Sequence, residues 1–168
     1  MNIESIHKSI EQYASAYGNL QNLQDNSDLI PLGDQKTGCI GEFYVFLYLN
    51  QIHPSSKINY AGHSNKGWDI KVEFENSNLK IQVKTVSAYS TTRTISPIHK
   101  GWDQLFIIYL SRDLKPLGFW QINDPFIFGE NDCLKGRKCK NPNNPNTGSK
   151  DIPFGKNKIE ELKNAIYS

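Results

Sequence analysis

The sequence predicts a mixed α/β domain of the α+β type, in which helices flank a central mixed β-sheet. Three observations predict it. Apolar residues recur at helical spacing near both ends of the chain and in one segment between them. Two adjacent segments, residues 68–75 and 79–85, alternate apolar and polar residues as half-buried strands do. A continuous apolar run over residues 105–110 is typical of a strand that is buried on both faces.

Three helices are expected. The first runs from residue 3 to about residue 23, where apolar residues alternate at steps of three and four. Its stripe either packs on the core of its own domain or forms a dimer seam, since the spacing continues for nearly three heptads. The second runs from about residue 37 to residue 51, and apolar residues on almost every side mark it as buried. The third spans about 156 to 167, with Ile159, Leu162 and Ile166 on one side.

The strands follow the second helix. The Asn-Ser-Asn between the two alternating segments is turn chemistry and predicts a hairpin. The apolar run at 105–110 and a short strand at 119–122 complete the sheet, and residues 136–155 form a long loop rich in Asn, Pro and Gly. The expected order is therefore α-α-β-β-β-β-α.

Length and composition suit one domain. The 168 residues, 38% of them hydrophobic, are enough for a single core. We expect one domain over 1–168, with an N-terminal helical segment (1–33), a catalytic core (37–122) and a C-terminal basic loop and helix (123–168). No apolar run is long enough to cross a bilayer, and the first residues lack the continuous apolar segment of a signal peptide, so a cytoplasmic protein is expected.

The cysteines exclude a disulfide framework, because three are an odd and sparse set. Cys133 and Cys139 are either plain thiols or half of a zinc site. The net charge of +2 does not identify nucleic acid as a partner. Two local basic clusters are either phosphate contacts or solvated loops. Their residues are Arg93 and Lys100 in one, and Lys135, Arg137, Lys138 and Lys140 in the other.

The hairpin brings polar residues together. Directly opposed residues share a face, so the apolar residues of one strand must oppose those of the other. With a two-residue turn at Asn76-Ser77, Asp69 lies opposite Lys84 on the polar face. In the same register Lys71 opposes Gln82 and Glu73 opposes Lys80. The alternative is an exposed cross-strand ion pair, which contributes little.

A second candidate carboxylate is Glu42 on the second helix. Its helix face carries no other charge, and a lone carboxylate among apolar residues is costly unless it is paired or binds a cation. The alternative is a glutamate in the first helical turn, favoured by the helix dipole. Gly38 and Gly41 beside it are poor helix formers that allow close approach of backbone or ligand.

Three short motifs together resemble the PD-(D/E)XK nuclease superfamily, whose fold is restriction-endonuclease-like. They are G-E on the buried helix, W-D-I on the first strand of the hairpin and I-Q-V-K-T on the second strand. The resemblance covers residues 37–110. No proline precedes Asp69. Gln82 stands where an acid is usual, as in Q-X-K versions of the Mrr-like branch, and removes one negative charge from the metal site.

The resemblance implies a site that hydrolyses a phosphodiester with Mg²⁺, for which Mn²⁺ can substitute. Catalytic residues would be Glu42, Asp69, Gln82 and Lys84. Asp69, the Gln82 side-chain oxygen and the Val83 carbonyl would bind the metal, Glu42 would act directly or through water, and Lys84 would orient or deprotonate the attacking water. His63 either serves as a general acid or lies in a turn.

The expected partner is double-stranded DNA, cut by a homodimer of a type II-like restriction endonuclease. Donors suited to phosphates or base edges follow the second strand of the hairpin and recur in the tail. They are Thr92, Arg93, His99, Lys100, Arg137, Lys138 and Lys140. Two alternatives remain, a catalytically silent DNA-binding module on the same fold and a structural or immunity-type protein with a buried ion network.

Overall fold

The computed structural model describes residues 2–26, 37–61, 67–123, 132–144 and 155–167. It confirms the mixed α/β class, with a central mixed sheet and helices packed on it. His63 and residues 145–154, half of the expected loop at 136–155, lie outside the described residues. No described helix combines the length and apolar character that crossing a membrane requires. The division into segments 1–33, 37–122 and 123–168 stays a prediction.

The described elements comprise three helices and eight strands. The helices are α1 (Ile3–Asn26), α2 (Thr37–Ile52) and α3 (Ile159–Tyr167). The strands are β1 (Lys57–Tyr60), β2 (Ile70–Glu73), β3 (Asn78–Ser87), β4 (Ile98–His99), β5 (Gln104–Leu110), β6 (Pro116–Ile122), β7 (Cys133–Leu134) and β8 (Lys156–Asn157). The sequence missed β1, β4, β7 and β8, because strands this short carry too little alternation to stand out.

Six strands form the central sheet, in the order β1-β2-β3-β5-β6-β8. β3 and β5 are parallel and every other neighbouring pair is antiparallel. The expected third helix begins later than predicted, since residues 156–157 form β8 and the Asn157 side chain accepts the N–H of Ile159 at 3.1 Å. An Asn oxygen at this position caps a helix N-terminus, which explains why α3 begins at Ile159.

The sheet has a different hydrophobic cluster on each face. The first joins α2 and α3 to residues such as Ile81, Val83 and Phe106, and the α1 side chains Ile6 and Ile10 pack against it. The prediction that the stripe of α1 packs on its own core is confirmed for these residues, while the Leu20 side chain is outside the described set. The second cluster contains Val86, Ile98 and Leu134 and lies on the opposite face of β3.

Candidate active site

The β2–β3 hairpin opens at one end, and this gap creates the candidate site. The paired ladder ends at Ile70 and Ile81, whereas β3 continues to Ser87 alongside β5. Asp69 stands at the point of divergence. Its N–H donates to the Ile81 carbonyl at 2.7 Å, and its carboxylate Oδ2 accepts the Val83 N–H at 2.7 Å. The N–H and C=O of one strand residue point to the same side, so the Val83 carbonyl also faces this edge.

The predicted register of the hairpin is wrong by two residues. The turn is four residues long, with the Phe74 N–H donating to the Ser77 carbonyl at 2.9 Å, and Ile70 opposes Ile81. Phe74 leaves the strand and packs its ring on His53 at 5.2 Å. A slip of two residues keeps every side chain on its face, so the predicted faces are confirmed. The partner of Asp69 changes, however, and its carboxylate meets the Val83 N–H beside Gln82 instead of facing Lys84.

The other two predicted pairs change with the register. Lys71 opposes Lys80 rather than Gln82, and Glu73 opposes Asn78 rather than Lys80. Lys71 Nζ instead pairs with Glu73 on its own strand at 2.8 Å. This neighbouring carboxylate offsets the two like charges that face each other across the hairpin.

Glu42 reaches the same region from α2 because the helix packs very close to the sheet. A Cβ at Gly41 would lie 2.7 Å from Thr85 Cγ2 and 2.9 Å from Ile108 Cγ2, so only glycine permits this approach. Gly38, by contrast, meets nothing within 4 Å. Glu42 lies beyond the first turn of α2, which removes the helix-dipole explanation for its position.

The pKa values place Glu42, Asp69 and Lys84 in one electrostatic cluster. Burial, with help from the Asp69 charge, raises the pKa of Glu42 to about 7, while Lys84 opposes the rise. Burial also raises the pKa of Asp69, against the Val83 N–H and Lys84. Burial lowers the pKa of Lys84, against the charges of Asp69, Glu42 and Cys133. Asp69 and Lys84 both act on Glu42, and both carboxyl groups act on Lys84, so the three groups belong to one neighbourhood at the open edge of β3.

Gln82 and Lys84 project from the face of β3 opposite to Ile81 and Val83. Gln82 is only 1% exposed, and its Nε2 donates to the Gly67 carbonyl at 3.3 Å. Lys84 is half-buried, and its Nζ donates to Ser96 Oγ at 3.1 Å. The expected alternative of an exposed cross-strand ion pair therefore does not describe these residues.

The donor set at this edge fits a magnesium ion. No described group of three or more His, Cys, Asp and Glu side chains could hold a metal. Mg²⁺ needs fewer, because it keeps several waters and is usually bound through one or two carboxylates. Asp69 and Glu42 would supply two carboxylates, Gln82 an amide oxygen and Val83 a carbonyl, and Mg²⁺ prefers oxygen donors of these kinds. Burial raises the pKa of both carboxyl groups, and a cation bound between them would favour their charged forms.

Several of the predicted DNA-contacting residues lie in one small module, which we name the β4–β7 module and define as residues 88–100 and 132–144. The two segments pair through β4 and β7 and through a bridge between Thr94 and Lys138. Arg93 has a structural role there, since its guanidinium donates to the Cys139 carbonyl. Lys100 pairs with Asp132 at 3.1 Å. Thr92 is exposed, His99 is half-buried with Nε2 4.0 Å from Cys133 Sγ, and Arg137, Lys138 and Lys140 are half-buried.

Two residues near the site were missed by sequence reasoning. Ser96 contacts Lys84, but a serine in a Ser/Thr-rich loop carries no pattern that singles it out. Tyr60, at the end of β1, stacks on Phe46 with ring centroids 4.9 Å apart. Burial and the nearby Glu42 carboxylate raise the pKa of Tyr60. Tyr60 gave no signal in the sequence either, because β1 itself was not recognised.

Comparison with known proteins adds little to this geometry. No protein-family model matches the chain, and no curated protein matches it. Among solved structures, the chain is similar to a bacterial homing endonuclease, at 14% sequence identity and a TM-score of 0.38. The alignment covers 61% of this chain and 75% of the other. A TM-score this low does not establish a shared fold, so the function proposed below rests on the site itself.

Proposed function

We propose that this protein is a Mg²⁺-dependent DNA endonuclease of the PD-(D/E)XK type, in its Q-X-K form. The observation that carries the proposal is a half-buried lysine in mutual electrostatic contact with two carboxyl groups at the open edge of a β-strand. These groups come from α2, from the residue before β2 and from β3. Perturbed pKa values on converging groups of this kind are typical of catalytic sites.

The residues divide the work of phosphodiester hydrolysis between them. When bound, Mg²⁺ would neutralise charge on the phosphate and assist the leaving 3′ oxygen. Asp69 is held in place by the Val83 N–H through Oδ2, which leaves Oδ1 to bind the cation. Glu42, which lies within electrostatic reach of Asp69 and Lys84, would bind the cation directly or through water. Lys84, whose pKa burial lowers, orients or deprotonates the attacking water and stabilises the charge that develops on phosphorus.

The substrate proposed is double-stranded DNA, cut by a homodimer in the manner of a type II restriction enzyme. The β4–β7 module covers the face of β3 that bears Lys84 and carries Arg137, Lys138 and Lys140. None of these three has a carboxylate partner among the described residues. Lysines and arginines without such partners are suited to phosphate contacts, which position a duplex without reading its sequence.

Cleavage assays test the proposal directly. The protein is incubated with supercoiled plasmid and varied genomic DNA in Mg²⁺ or EDTA, beside Lys84→Ala. Lys80→Ala is the matched control, because Lys80 lies on the same strand and is exposed. We expect Mg²⁺-dependent cutting by the wild type and the control, and a loss of about a hundredfold or more in Lys84→Ala. If no DNA is cut, the proposal that the protein is an endonuclease is wrong. If Lys84→Ala cuts as well as the wild type, the assignment of Lys84 to the active site is wrong.

A second candidate function, DNA binding without cleavage, is favoured by one observation. Gln82 is buried where an acid would add negative charge to the metal site. Gln82→Glu separates the two candidates in a titration calorimeter. If the protein is a nuclease, we expect the wild type to bind Mg²⁺ and Gln82→Glu to bind it about tenfold more tightly. DNA binding by the wild type, together with no measurable Mg²⁺ or Mn²⁺ binding until glutamate is introduced, would favour the silent module.

A further inference from the structure

The candidate catalytic lysine is held from outside its own strand. Lys84 Nζ donates to Ser96 Oγ at 3.1 Å, and Ser96 lies in the loop between β3 and β4. Lysine has a long flexible side chain, and its ammonium group is a point charge with three donors. A fixed acceptor therefore decides which direction the nitrogen takes within the site.

Ser96 owes its position to the buried residues on either side of it. Ile95 is 4% exposed and Ile98 is fully buried, and both belong to the second hydrophobic cluster. The Ser96 side chain itself is exposed, so it does not contribute to that core. The loop is anchored by its apolar neighbours, and the hydroxyl is left facing Lys84.

The loop that carries Ser96 is also held by residues 134–139, which are distant in sequence. The Ile95 N–H donates to the Arg137 carbonyl at 3.0 Å, and Ile98 pairs with Leu134 across β4 and β7. The Arg93 guanidinium and the Cys139 carbonyl close the same module. The position of Ser96, and with it the direction of Lys84, thus depends on both halves of the β4–β7 module.

We propose that Ser96 is a positioning residue for Lys84, through which the folded β4–β7 module holds the lysine in its working orientation. The inference rests on the proposed nuclease function for its catalytic meaning, because Lys84 must act on the attacking water. It adds a residue to that site and a structural reason for the module to lie next to it. Ser96 does not touch the reacting atoms and acts only through Lys84.

The test compares Ser96→Ala, Ser96→Thr and the control Ser55→Ala, a serine in the exposed turn after α2. On a DNA substrate that the wild type cuts, Ser96→Ala should lower kcat about tenfold with little change in KM, because one hydrogen bond to a charged group is lost. Ser96→Thr keeps the hydroxyl and should restore kcat. Ser55→Ala should behave as the wild type.

A second readout does not depend on cleavage. In protein labelled with ¹³C-lysine, the ε-methylene signal of Lys84 is assigned by its loss in Lys84→Ala. At a fixed pH this signal should move in Ser96→Ala and stay in place in Ser55→Ala. If the wild type cuts no DNA, the nuclease proposal fails while this spectrum still tests the contact. An unmoved Lys84 signal in Ser96→Ala, or unchanged kcat in an active enzyme, would overturn the inference.

Discussion

The two faces of the central sheet are built in different ways. On one face, α2 and α3 cover β3, β5 and β6 through a cluster of buried aliphatic and aromatic side chains, with Phe106 and Phe119 stacked 5.0 Å apart. On the other face, the β4–β7 module packs on the sheet through the smaller second hydrophobic cluster, and its two segments are joined by two-residue strands, one isolated bridge and a bond from a side chain to a main-chain carbonyl. Gln82 and Lys84 of the candidate site project from β3 towards this second face.

This difference separates the face of the sheet that mainly stabilises the fold from the face that bears polar residues of the candidate site. Apolar packing is non-directional and tolerates no polar group without a partner, so the helical face supplies stability. A face that bears a buried amide and a half-buried lysine needs polar partners at fixed distances. Short strands and loops supply these partners, because their backbone groups are not all used in regular ladders. The first two of the following variants each weaken one face and leave the other in place, and the third changes a carboxyl group of the candidate site.

The largest effect is expected from Gly41→Ala on the helical face. The added methyl group would meet Thr85 and Ile108 at distances that force α2 away from the sheet. We expect the free energy of unfolding to fall by about 2 kcal/mol, measured by urea denaturation. Gly38→Ala is the control, since a Cβ there meets nothing within 4 Å, and it should raise stability by about 0.5 kcal/mol. Equal effects from the two variants would contradict the close approach of α2.

A smaller and more local effect is expected from Arg93→Ala on the module face. The variant removes the donor to the Cys139 carbonyl, which costs about 1.5 kcal/mol for a hydrogen bond from a charged group. Amide hydrogen exchange should speed up for Ile95 and Cys139 and stay unchanged in α2. Lys135→Ala, an exposed residue of the same module, serves as the control. Faster exchange throughout the sheet would show that the two faces do not behave as separate units.

The smallest effect concerns Glu42, which α2 brings within electrostatic reach of Asp69 and Lys84. Its pKa rises from 4.5 to about 7 on folding, so the folded state binds more protons than the unfolded state between these values. This contribution to stability is complete below pH 4.5 and is lost as the pH rises through 7. Glu42→Gln lacks it, and the variant should gain about 1 kcal/mol over the wild type between pH 5 and pH 8, since the carboxyl is partly solvated.

Thermal or urea unfolding at the two pH values measures this change. Glu75→Gln, in the exposed turn of the hairpin, is the matched control and should show no such difference. The free energy of unfolding of Glu42→Gln could differ from that of the wild type by the same amount at both pH values. In that case Glu42 would be an ordinary surface carboxyl group and not part of the candidate site.

The candidate site was partly predictable from the sequence. Asp69, Gln82 and Lys84 were found from alternation and turn chemistry, and Glu42 from its isolation among apolar residues. The faces were correct because the side-chain period of a strand is two. The exact partner of Asp69 was wrong, since Asn-Ser-Asn is compatible with turns of two or four residues. The pairing of Glu73 with Asn78 and the Phe74 N–H bond to the Ser77 carbonyl show that the longer turn is used.

What the sequence determined by itself was local: which segments are helices or strands, which face of each is apolar, and which polar residues share a face. These follow from periodicity within a single segment. The tertiary structure decided the gap between β2 and β3, the close packing at Gly41 and the contact between Lys84 and Ser96. Each depends on residues far apart in the chain, whose meeting is set by turn length and by packing against a third element. Periodicity within one segment carries no information on either.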